Sequence, residues 1–453
     1  MDALPDEVLS HVFSRITSTA DRNSLALSCK RCHHVERLQR WSLRLGCGLH
    51  PVDEALVRLC KRFSNLVSVE ISYLGWMSNQ GRQLDDQGLA LLSENCRLLT
   101  TLKLSYCCFI TDTGLGNLGR SSNLEVLTLN FIPRISGIGM LSLVTCCSKI
   151  KELELDRCMH VDRVEWLEHL GAEGRLENLF IRNCRGVGEL DLAGLDWGWS
   201  SLRRLVFEVD GSNYRFLKEF GNAGVCGIDV NSESLQLLVL TNCVVTPRRG
   251  LSSVLARCSS ALVDVELNMC LGLRDEQLIA LAETCSQLKS LTLRLSSLFE
   301  GSTRITDASF CALATHCVFL EKACIGFSSG EFHFVTVAGL ALVIQGCCFL
   351  KELVLENVGC FNDEGMEAVC SSGSLETLEL VVCGQVGDKG ISGLACSKLR
   401  KLRLCRCSGI TGTGFNSLAG RSPKLNVLEV ENCPRVVIDS LEGVASTLRY
   451  KQS

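Results

Sequence analysis

The chain has 453 residues, of which 46% are hydrophobic and 21% are charged, a composition typical of a folded protein with a continuous core. Its formal net charge of −4 argues against nucleic-acid binding driven by overall positive charge. No apolar signal segment follows Met1, and no uninterrupted apolar run approaches the roughly 18 residues of a membrane helix. We therefore expect no nucleic-acid and no membrane partner, and a location in the cytoplasm, the nucleus or both.

Residues 1–45 predict a small module of short helices. Pro5 suits a first helical turn because it needs no N–H there, and Asp6 and Glu7 favour the positive end of the helix dipole. An apolar stripe follows at Val8, Leu9, Val12, Phe13 and Ile16. A second helix is predicted to start with Asp21 as its capping residue. So few short helices bury too little surface to be stable alone, and we expect the module to pack on a neighbour.

From residue 56 onward the chain repeats one unit, which is clearest at residues 99–118. The run 99–107 has the pattern L-x-x-L-x-L-x-x-C of a leucine-rich repeat and predicts a strand. In the run 110–118, either Thr111 or Asp112 can cap a helix whose apolar residues have helical spacing. The unit is therefore predicted to be a strand, a turn and a helix.

The strand pattern occurs fourteen times with a basic period near 26 residues. Its first apolar residue stands at Leu66, Leu99, Leu124, Ile150, Leu176, Leu202, Leu235, Leu262, Leu288, Leu320, Leu350, Leu375, Leu399 and Leu425. The predicted fold class is α/β, a leucine-rich-repeat horseshoe solenoid with parallel strands on its concave face, preceded by a small all-α module. The predicted division is a helical module at 1–45 and a solenoid of about fourteen repeats at 46–453.

Many of the 28 cysteines recur at two fixed positions of the repeat. One position follows the strand, at Cys107, Cys158, Cys184, Cys243, Cys270, Cys383, Cys407 and Cys433. The other precedes the next strand, at Cys96, Cys146, Cys258, Cys285, Cys317, Cys347 and Cys396. A cysteine thiol packs like a small hydrophobic group, so we expect these residues to fill core positions in a reducing compartment.

The N-terminal module resembles the F-box. The segments that carry the resemblance are Leu4-Pro5-Asp6-Glu7-Val8-Leu9, Val12-Phe13, Asp21-Arg22 and Cys29-Lys30-Arg31. Ser28 and Cys32 depart from the usual valine and tryptophan of that pattern. The resemblance implies docking onto a Skp-type adaptor of a cullin–RING ubiquitin ligase. The matching positions are Leu4, Pro5, Val8, Leu9, Val12, Phe13, Ile16, Leu25 and Cys29.

Two alternatives remain open for this arrangement. The apolar stripe between Leu4 and Ile16 also suits a cap that seals the first repeat, as solenoids require. The whole chain also suits a leucine-rich interaction scaffold without any ligase. The function that the resemblance implies is a substrate-recognition subunit, with the adaptor at the module and a target protein on the repeats.

Four stretches exceed the repeat period, at Ser72–Gln83, Glu208–Ser232, Arg294–Arg304 and Gly326–Thr336. Insertions in such repeats go to loops on one rim, which is often the binding rim. Their aromatic residues are candidates for target binding, because aromatics are common anchors of recognition surfaces: Trp76, Tyr214, Phe216, Phe299, Phe327, Phe332 and Phe334. The alternative is that each loop merely varies in length and packs its ring on the body.

Charged residues at the outward strand positions form two groups. An acidic strand with Glu152, Glu154 and Asp156 is a further candidate for target binding, with a solvated surface as the alternative. A basic strand with Lys401, Arg403 and Arg406 lies between strands that carry Glu379 and Glu429. For this second group we expect pairing between neighbouring strands.

The sequence predicts no catalytic residue, no cofactor and no metal. The run from Cys29 to His33 matches the C-x-x-C-H pattern of haem attachment, but it coincides with the third helix of the N-terminal module. No second ligand pair completes a zinc site, and no phosphate-binding glycine loop occurs. An enzyme that uses a surface cysteine would need an open thiol of lowered pKa. We therefore expect a non-catalytic subunit whose partners are the adaptor, the cullin core and a target protein that the sequence does not identify.

Overall fold

The computed structural model describes residues 4–46, 52–73, 83–163, 165–187, 199–209, 233–243, 261–296, 303–328, 334–394, 398–416 and 418–452. The chain forms two compact units. Unit 1 holds residues 1–188 and 197–199, and unit 2 holds residues 189–196 and 200–453.

Three helices open unit 1: α1 (Asp6–Arg15), α2 (Thr19–Ser28) and α3 (Lys30–Gln39). Their shared core consists of Leu9, Phe13, Ala26, Cys32 and Val35. The prediction that Asp21 caps the second helix is wrong. The helix begins at Thr19, and the Ser18 side chain accepts the backbone N–H of Asp21 at 3.3 Å. Asp21 lies instead in the first turn, where its charge favours the helix dipole.

The rest of unit 1 alternates helices with the strands of a parallel sheet. The strands are β1 (Ser42–Leu45), β2 (Ser68–Ser72), β3 (Thr101–Ser105), β4 (Val126–Asn130), β5 (Glu152–Asp156) and β6 (Asn178–Arg182), paired in chain order. The helices are α4 (Val52–Arg62), α5 (Asp86–Asn95), α6 (Asp112–Asn117), α7 (Gly137–Cys146) and α8 (Glu165–Glu173). A short 3₁₀ turn at Leu118–Arg120 follows α6.

Unit 2 continues the same alternation. Its strands are β7 (Arg204–Glu208), β8 (Leu237–Thr241), β9 (Asp264–Cys270), β10 (Ser290–Leu295), β11 (Lys322–Phe327), β12 (Glu352–Glu356), β13 (Thr377–Val381), β14 (Lys401–Cys405), β15 (Val427–Glu431) and β16 (Thr447–Lys451), all parallel and paired in chain order. Its described helices are α9 (Asp275–Thr284), α10 (Asp307–His316), α11 (Val337–Gly346), α12 (Asp363–Ser371), α13 (Asp388–Gly393) and α14 (Leu418–Arg421), with 3₁₀ turns at Gly412–Phe415 and Ile438–Leu441.

The predicted leucine-rich-repeat solenoid is confirmed. A strand lies at each of the fourteen predicted positions, and the alternation is as expected: Leu102 and Leu104 are fully buried while Lys103 between them is exposed. Two further strands, β1 and β16, were not predicted. Arg40 and Ala445 stand where the first leucine of their patterns would be, so neither strand matches the repeat.

The repeat cysteines that follow the strands are buried, as predicted. Their thiols donate to backbone carbonyls of the preceding strand, for example Cys158 to Leu129 at 3.4 Å and Cys270 to Leu240 at 3.4 Å. At the second position one assignment is wrong. Cys146 is exposed, and the adjacent Cys147 is buried with its thiol 3.5 Å from the Leu118 carbonyl. Cys258 and Cys396 lie outside the described residues.

Candidate functional site

Helix α1 has two apolar faces. Leu9 and Phe13, four residues apart, are 2% and 0% exposed and form part of the module core. Leu4, Val8 and Val12 are also four residues apart but are 40%, 42% and 40% exposed. Exposed apolar side chains in a row on a rigid helix are typical of a surface that binds a partner. We call Val8 and Val12, together with Leu4 directly before the N-cap Pro5, the outer face of α1.

The other predicted adaptor positions lie around this helix. Pro5 is exposed at the N-terminus of α1, and Ile16 is half-buried after its last turn. Leu25 and Cys29 pack against the module core. The Cys29 sulfur also accepts the backbone N–H of Cys32 at 3.3 Å and so caps α3. Leu9, Phe13, Leu25 and Cys29 therefore support the surface from within, while Leu4, Pro5, Val8 and Val12 form it.

Three exposed apolar residues of the module were not predicted as site residues. Leu27 at the end of α2 is 80% exposed, Leu38 on α3 is 48% exposed and Trp41 is 58% exposed. Leu27 could have been found from its spacing, because residues two apart on a helix point to different sides and Leu25 already packs inward. Exposure of Leu38 and Trp41 depends on how the helices pack, which no local pattern gives.

A buried charge cluster joins the module to the first repeat. Glu36 of α3 is fully buried and pairs with Arg40 and, at 3.7 Å, with Arg62 of α4. Arg40 also donates to the Asn23 side chain at 2.8 Å. Both guanidinium groups lie over the ring of Phe63, at 4.7 and 4.8 Å from its centroid. These contacts fix the module on the first repeat of unit 1.

Most aromatic candidates for target binding lie outside the described residues: Trp76, Tyr214, Phe216, Phe299 and Phe332. Phe327 is the last residue of β11 and is 6% exposed, so it belongs to the strand and not to the loop that the repeat spacing predicts. Phe334 is 50% exposed, and the Arg304 guanidinium lies 5.2 Å from its ring centroid.

The acidic strand β5 has partners on both neighbouring strands. Glu154 accepts hydrogen bonds from Arg182 at 2.6 Å and from Thr128 at 3.3 Å. Glu152 accepts a hydrogen bond from Asn178 at 3.0 Å, and Asp156 is half-buried. Part of the predicted negative surface is therefore neutralised within the sheet.

Lys401 and Arg403 of the basic strand β14 pair with its neighbours, as predicted, whereas Arg406 directly follows the strand, is exposed and forms no ion pair with a described residue. Lys401 lies 3.0 Å from Glu379 on β13 and 3.5 Å from Glu429 on β15. Arg403 approaches the same two carboxylates at 3.3 and 3.8 Å. Opposite charges on adjacent strands stabilise a sheet modestly, and this arrangement leaves little unbalanced charge for a partner.

One ion pair of unit 2 crosses a whole strand. Arg294 of β10 donates to Glu356 of β12 at 2.7 and 2.9 Å, above Gly326 of β11. A Cβ atom at Gly326 would lie 3.2 Å from that of Glu356, so the small residue keeps the path open. The hydrogen bonds from Arg294 hold the pKa of Glu356 below its usual value. The repeat pattern cannot predict this pair, because its members are two repeats apart.

The described residues show no arrangement typical of a catalytic or metal site. Within them there is no group of three or more His, Cys, Asp or Glu side chains that could hold a metal ion. Burial raises the pKa of the Cys107 thiol to about 12. Hydrogen bonding to the Cys407 thiol lowers the pKa of Cys433, but that residue is only 1% exposed. Nor does any described helix have the length and apolar character needed to span a bilayer.

Comparison with known proteins identifies both parts of the chain. The F-box family model matches residues 1–42, and the Leucine Rich repeat model matches residues 95–119. F-box/LRR-repeat protein 12 of Arabidopsis thaliana is 29% identical over 169 residues, which cover 34% of this chain and 41% of that relative. The chain thus carries an F-box at residues 1–42, followed by leucine-rich repeats. GRR1-like protein 1 of Arabidopsis thaliana is 25% identical to this F-box protein over 379 residues, which cover 81% of the chain and 56% of the relative.

The chain thus spans about half the length of the curated relatives that it matches. A chain in the crystal structure of the Rad7 and Elc1 complex in yeast has the same fold, with a TM-score of 0.52, 17% identity and coverage of 98% of this F-box protein and 92% of that chain. All nine adaptor positions fall within the F-box match. Their role, and the division at residue 45, stay predictions.

Proposed function

We propose that this F-box protein is the substrate-recognition subunit of a cullin–RING ubiquitin ligase. The outer face of α1 would bind a Skp-type adaptor, and the leucine-rich repeats would bind the protein to be ubiquitinated. The subunit would act by proximity, since holding the target and the ubiquitin donor on one scaffold converts a bimolecular encounter into a local one. The residues that make and break bonds would belong to other subunits.

One observation carries the adaptor role. Val8 and Val12 on α1, and Leu4 just before the helix, are exposed apolar side chains in a row, while Leu9 and Phe13 next to them are buried in the module core. A cap that only sealed the first repeat would not need this second apolar face, because α3 and α4 already make that contact through Glu36, Arg40 and Arg62. The two apolar faces support an adaptor outside and a core inside.

The proposal is tested by pull-down with a purified Skp-type adaptor. The variant Val8→Asp places a charge on the outer face without touching the core, because Val8 is 42% exposed. We expect its binding to fall at least tenfold, since a buried unpaired carboxylate in an interface costs more than about 1.4 kcal/mol.

The matched control is Ile138→Asp, which introduces the same charge at a helix residue of α7 that is 59% exposed. It should bind the adaptor like the wild type. If the intact protein binds no adaptor, the ligase function fails and a leucine-rich interaction scaffold remains. If both variants bind equally well, the outer face of α1 is not the docking surface.

The proposal includes a non-catalytic role and a location in the cytoplasm, the nucleus or both. The location is supported by the repeat cysteines, whose reduced thiols donate to backbone carbonyls, as at Cys158 and Cys270. Such thiols persist in a reducing compartment. Imaging of the fluorescently tagged protein tests the location, and secretion would contradict it.

A further inference from the structure

Strands β3 to β6 of unit 1 end in a row of residues with left-handed backbone conformation. Tyr106, Phe131, Arg157 and Asn183 directly follow β3, β4, β5 and β6 and have φ angles between 52° and 59°. The N–H groups of the first three donate to the carbonyl that ends the next strand, at 2.8 to 2.9 Å. These four residues therefore lie side by side. We call this row and the turns that follow it the strand-end rim.

One half of the rim is aromatic. The rings of Tyr106 and Phe131 are 5.4 Å apart and are half-buried. In the adjacent turn Phe109 is 45% exposed, and the Arg134 guanidinium lies 5.4 Å from its ring centroid. Aromatic and arginine side chains held in place by the backbone are frequent anchors for a bound peptide.

The other half of the rim is basic. Arg134, Arg157 and Arg163 are exposed, and no described residue forms an ion pair with any of them. Asp156 and Asp162 offset part of this charge, but the Asp162 carboxylate accepts the Gly137 N–H at 3.3 Å. The rim thus has positive charge available to a ligand, in a chain whose formal net charge is −4.

We propose that the strand-end rim binds an extended acidic peptide segment of a partner protein. An apolar side chain of the segment packs against Tyr106, Phe109 and Phe131, and its carboxylates pair with Arg157 and Arg163. Four strands about 4.8 Å apart span about 14 Å, which matches roughly four residues of extended chain. The inference rests on the proposed function only in treating the solenoid as the receptor part.

Charge on the neighbouring strand favours a peptide over a nucleic acid. Glu152, Glu154 and Asp156 of β5 lie directly before the rim, and only Glu154 has an ion-pair partner among the described residues, Arg182. A nucleic acid has a phosphate at every nucleotide and would meet these carboxylates. A short peptide can place its acidic groups at the arginines alone.

The test selects peptides from a random library displayed on phage with the wild-type protein and with the double variant Arg157→Glu/Arg163→Glu. We expect the wild type to enrich peptides rich in Asp and Glu with one apolar residue. The tightest of them, measured by fluorescence anisotropy, should bind the double variant at least about tenfold more weakly, since two attractive charge contacts become repulsive.

The control Arg97→Glu makes one such charge reversal on an exposed residue in the turn after α5, at the opposite end of the strands, and should bind normally. Thermal unfolding by circular dichroism verifies that each variant folds. Absence of acidic enrichment, or equal binding by the double variant, overturns the inference. Tighter binding of oligothymidylate than of the selected peptide overturns it in favour of a nucleic acid. Adaptor pull-down with the same proteins tests the proposed function separately.

Discussion

At the scale of single residues, an aspartate at the start of one helix serves the next repeat. The Asp112 carboxylate accepts the backbone N–H of Ser136 at 2.7 Å and its hydroxyl at 2.6 Å, while Ser136 caps its own helix α7. In the same way, the Asp86 carboxylate accepts the backbone N–H of Thr111, and the Asp307 carboxylate accepts that of Thr336. The sequence leaves open whether Thr111 or Asp112 is the cap. In the structure Thr111 caps α6, and Asp112 accepts hydrogen bonds from Ser136 of the next repeat.

These aspartates also explain a recurrent glycine two residues after the helix start. A Cβ atom at Gly139 would lie 2.3 Å from Oδ1 of Asp112, and one at Gly114 would lie 2.3 Å from Oδ1 of Asp86. Where a serine replaces the glycine, at Ser309, its hydroxyl hydrogen bonds to Asp275. The residues of the motif T-D-x-G therefore make contacts between adjacent repeats, and these contacts can be recognised only when the stacking of the repeats is known.

We predict that Asp388→Ala destabilises unit 2 by about 1–3 kcal/mol at neutral pH, because it leaves the Thr411 N–H, now 2.7 Å from the carboxylate, without its acceptor. Burial alone would raise the pKa of Asp388, but hydrogen bonds from Thr411 and Thr413 outweigh it and hold that pKa below its usual value. A lowered pKa gives stability that is present at neutral pH and is lost as the pH falls through the folded-state value.

The difference between wild type and Asp388→Ala should therefore shrink below about pH 4. Urea unfolding at neutral and acidic pH measures it. The control Asp439→Ala removes an exposed carboxylate from the last 3₁₀ turn and should change stability by less than about 0.5 kcal/mol. A difference that stays constant with pH would show that the carboxylate charge is not involved.

At the scale of elements, helix α1 places core-forming residues and exposed apolar residues on different sides, a division that the apolar stripe in the sequence does not show. At about 100° per residue the stripe from Val8 to Ile16 spans about 140° of the helix, with Val8 and Val12 towards one edge and Leu9 and Phe13 towards the other. Val8 and Val12 therefore remain outside when Leu9 and Phe13 enter the core.

We predict opposite effects for two neighbouring substitutions. Phe13→Ala should destabilise the module by about 3–5 kcal/mol, because the side chain is fully buried in a small core. Val12→Ala should change stability by less than about 0.5 kcal/mol, since Val12 is 40% exposed, and should still weaken adaptor binding. Thermal unfolding and the adaptor pull-down measure the two properties. Equal loss of stability in both variants would contradict the division of the helix into two faces.

The sequence predicts the positions of strands more accurately than the ends of helices. Leucines two residues apart mark a buried strand face without knowledge of the neighbours, so all fourteen predicted strands are present. The start of α2 was missed because Ser18 and Asp21 are both good capping residues, and only the backbone path decides between them. The residues of the outer face of α1 are among the predicted adaptor positions. Which of those positions are exposed and which are buried depends on the packing of α3, which the sequence pattern does not give.

At the scale of the whole molecule, charge is arranged differently in the two units. In unit 2 the outward side chains of β13 to β16 alternate between negative and positive charge from strand to strand. Glu429, for example, lies within 4 Å of three cations, Lys401, Arg403 and Arg449. In unit 1 no described residue forms an ion pair with Arg134, Arg157 or Arg163 of the strand-end rim, although Asp156 and Asp162 lie next to two of them in sequence. Both sets of charges are visible in the sequence, but their balance depends on which strands are neighbours and how far each side chain reaches.

The bridge from Arg294 to Glu356 has a consequence for how unit 2 unfolds. Solenoids are usually treated as a sum of repeats and nearest-neighbour interfaces. A pair that skips β11 adds a second-neighbour term, so β10, β11 and β12 should open as one cooperative block. We predict that hydrogen exchange gives the same opening free energy for the backbone amides of all three strands. In the variant Arg294→Ala the three strands should have different opening free energies. Arg449→Ala, which breaks a pair between adjacent strands, should leave the block intact. Equal exchange behaviour in both variants would show that the second-neighbour term is negligible.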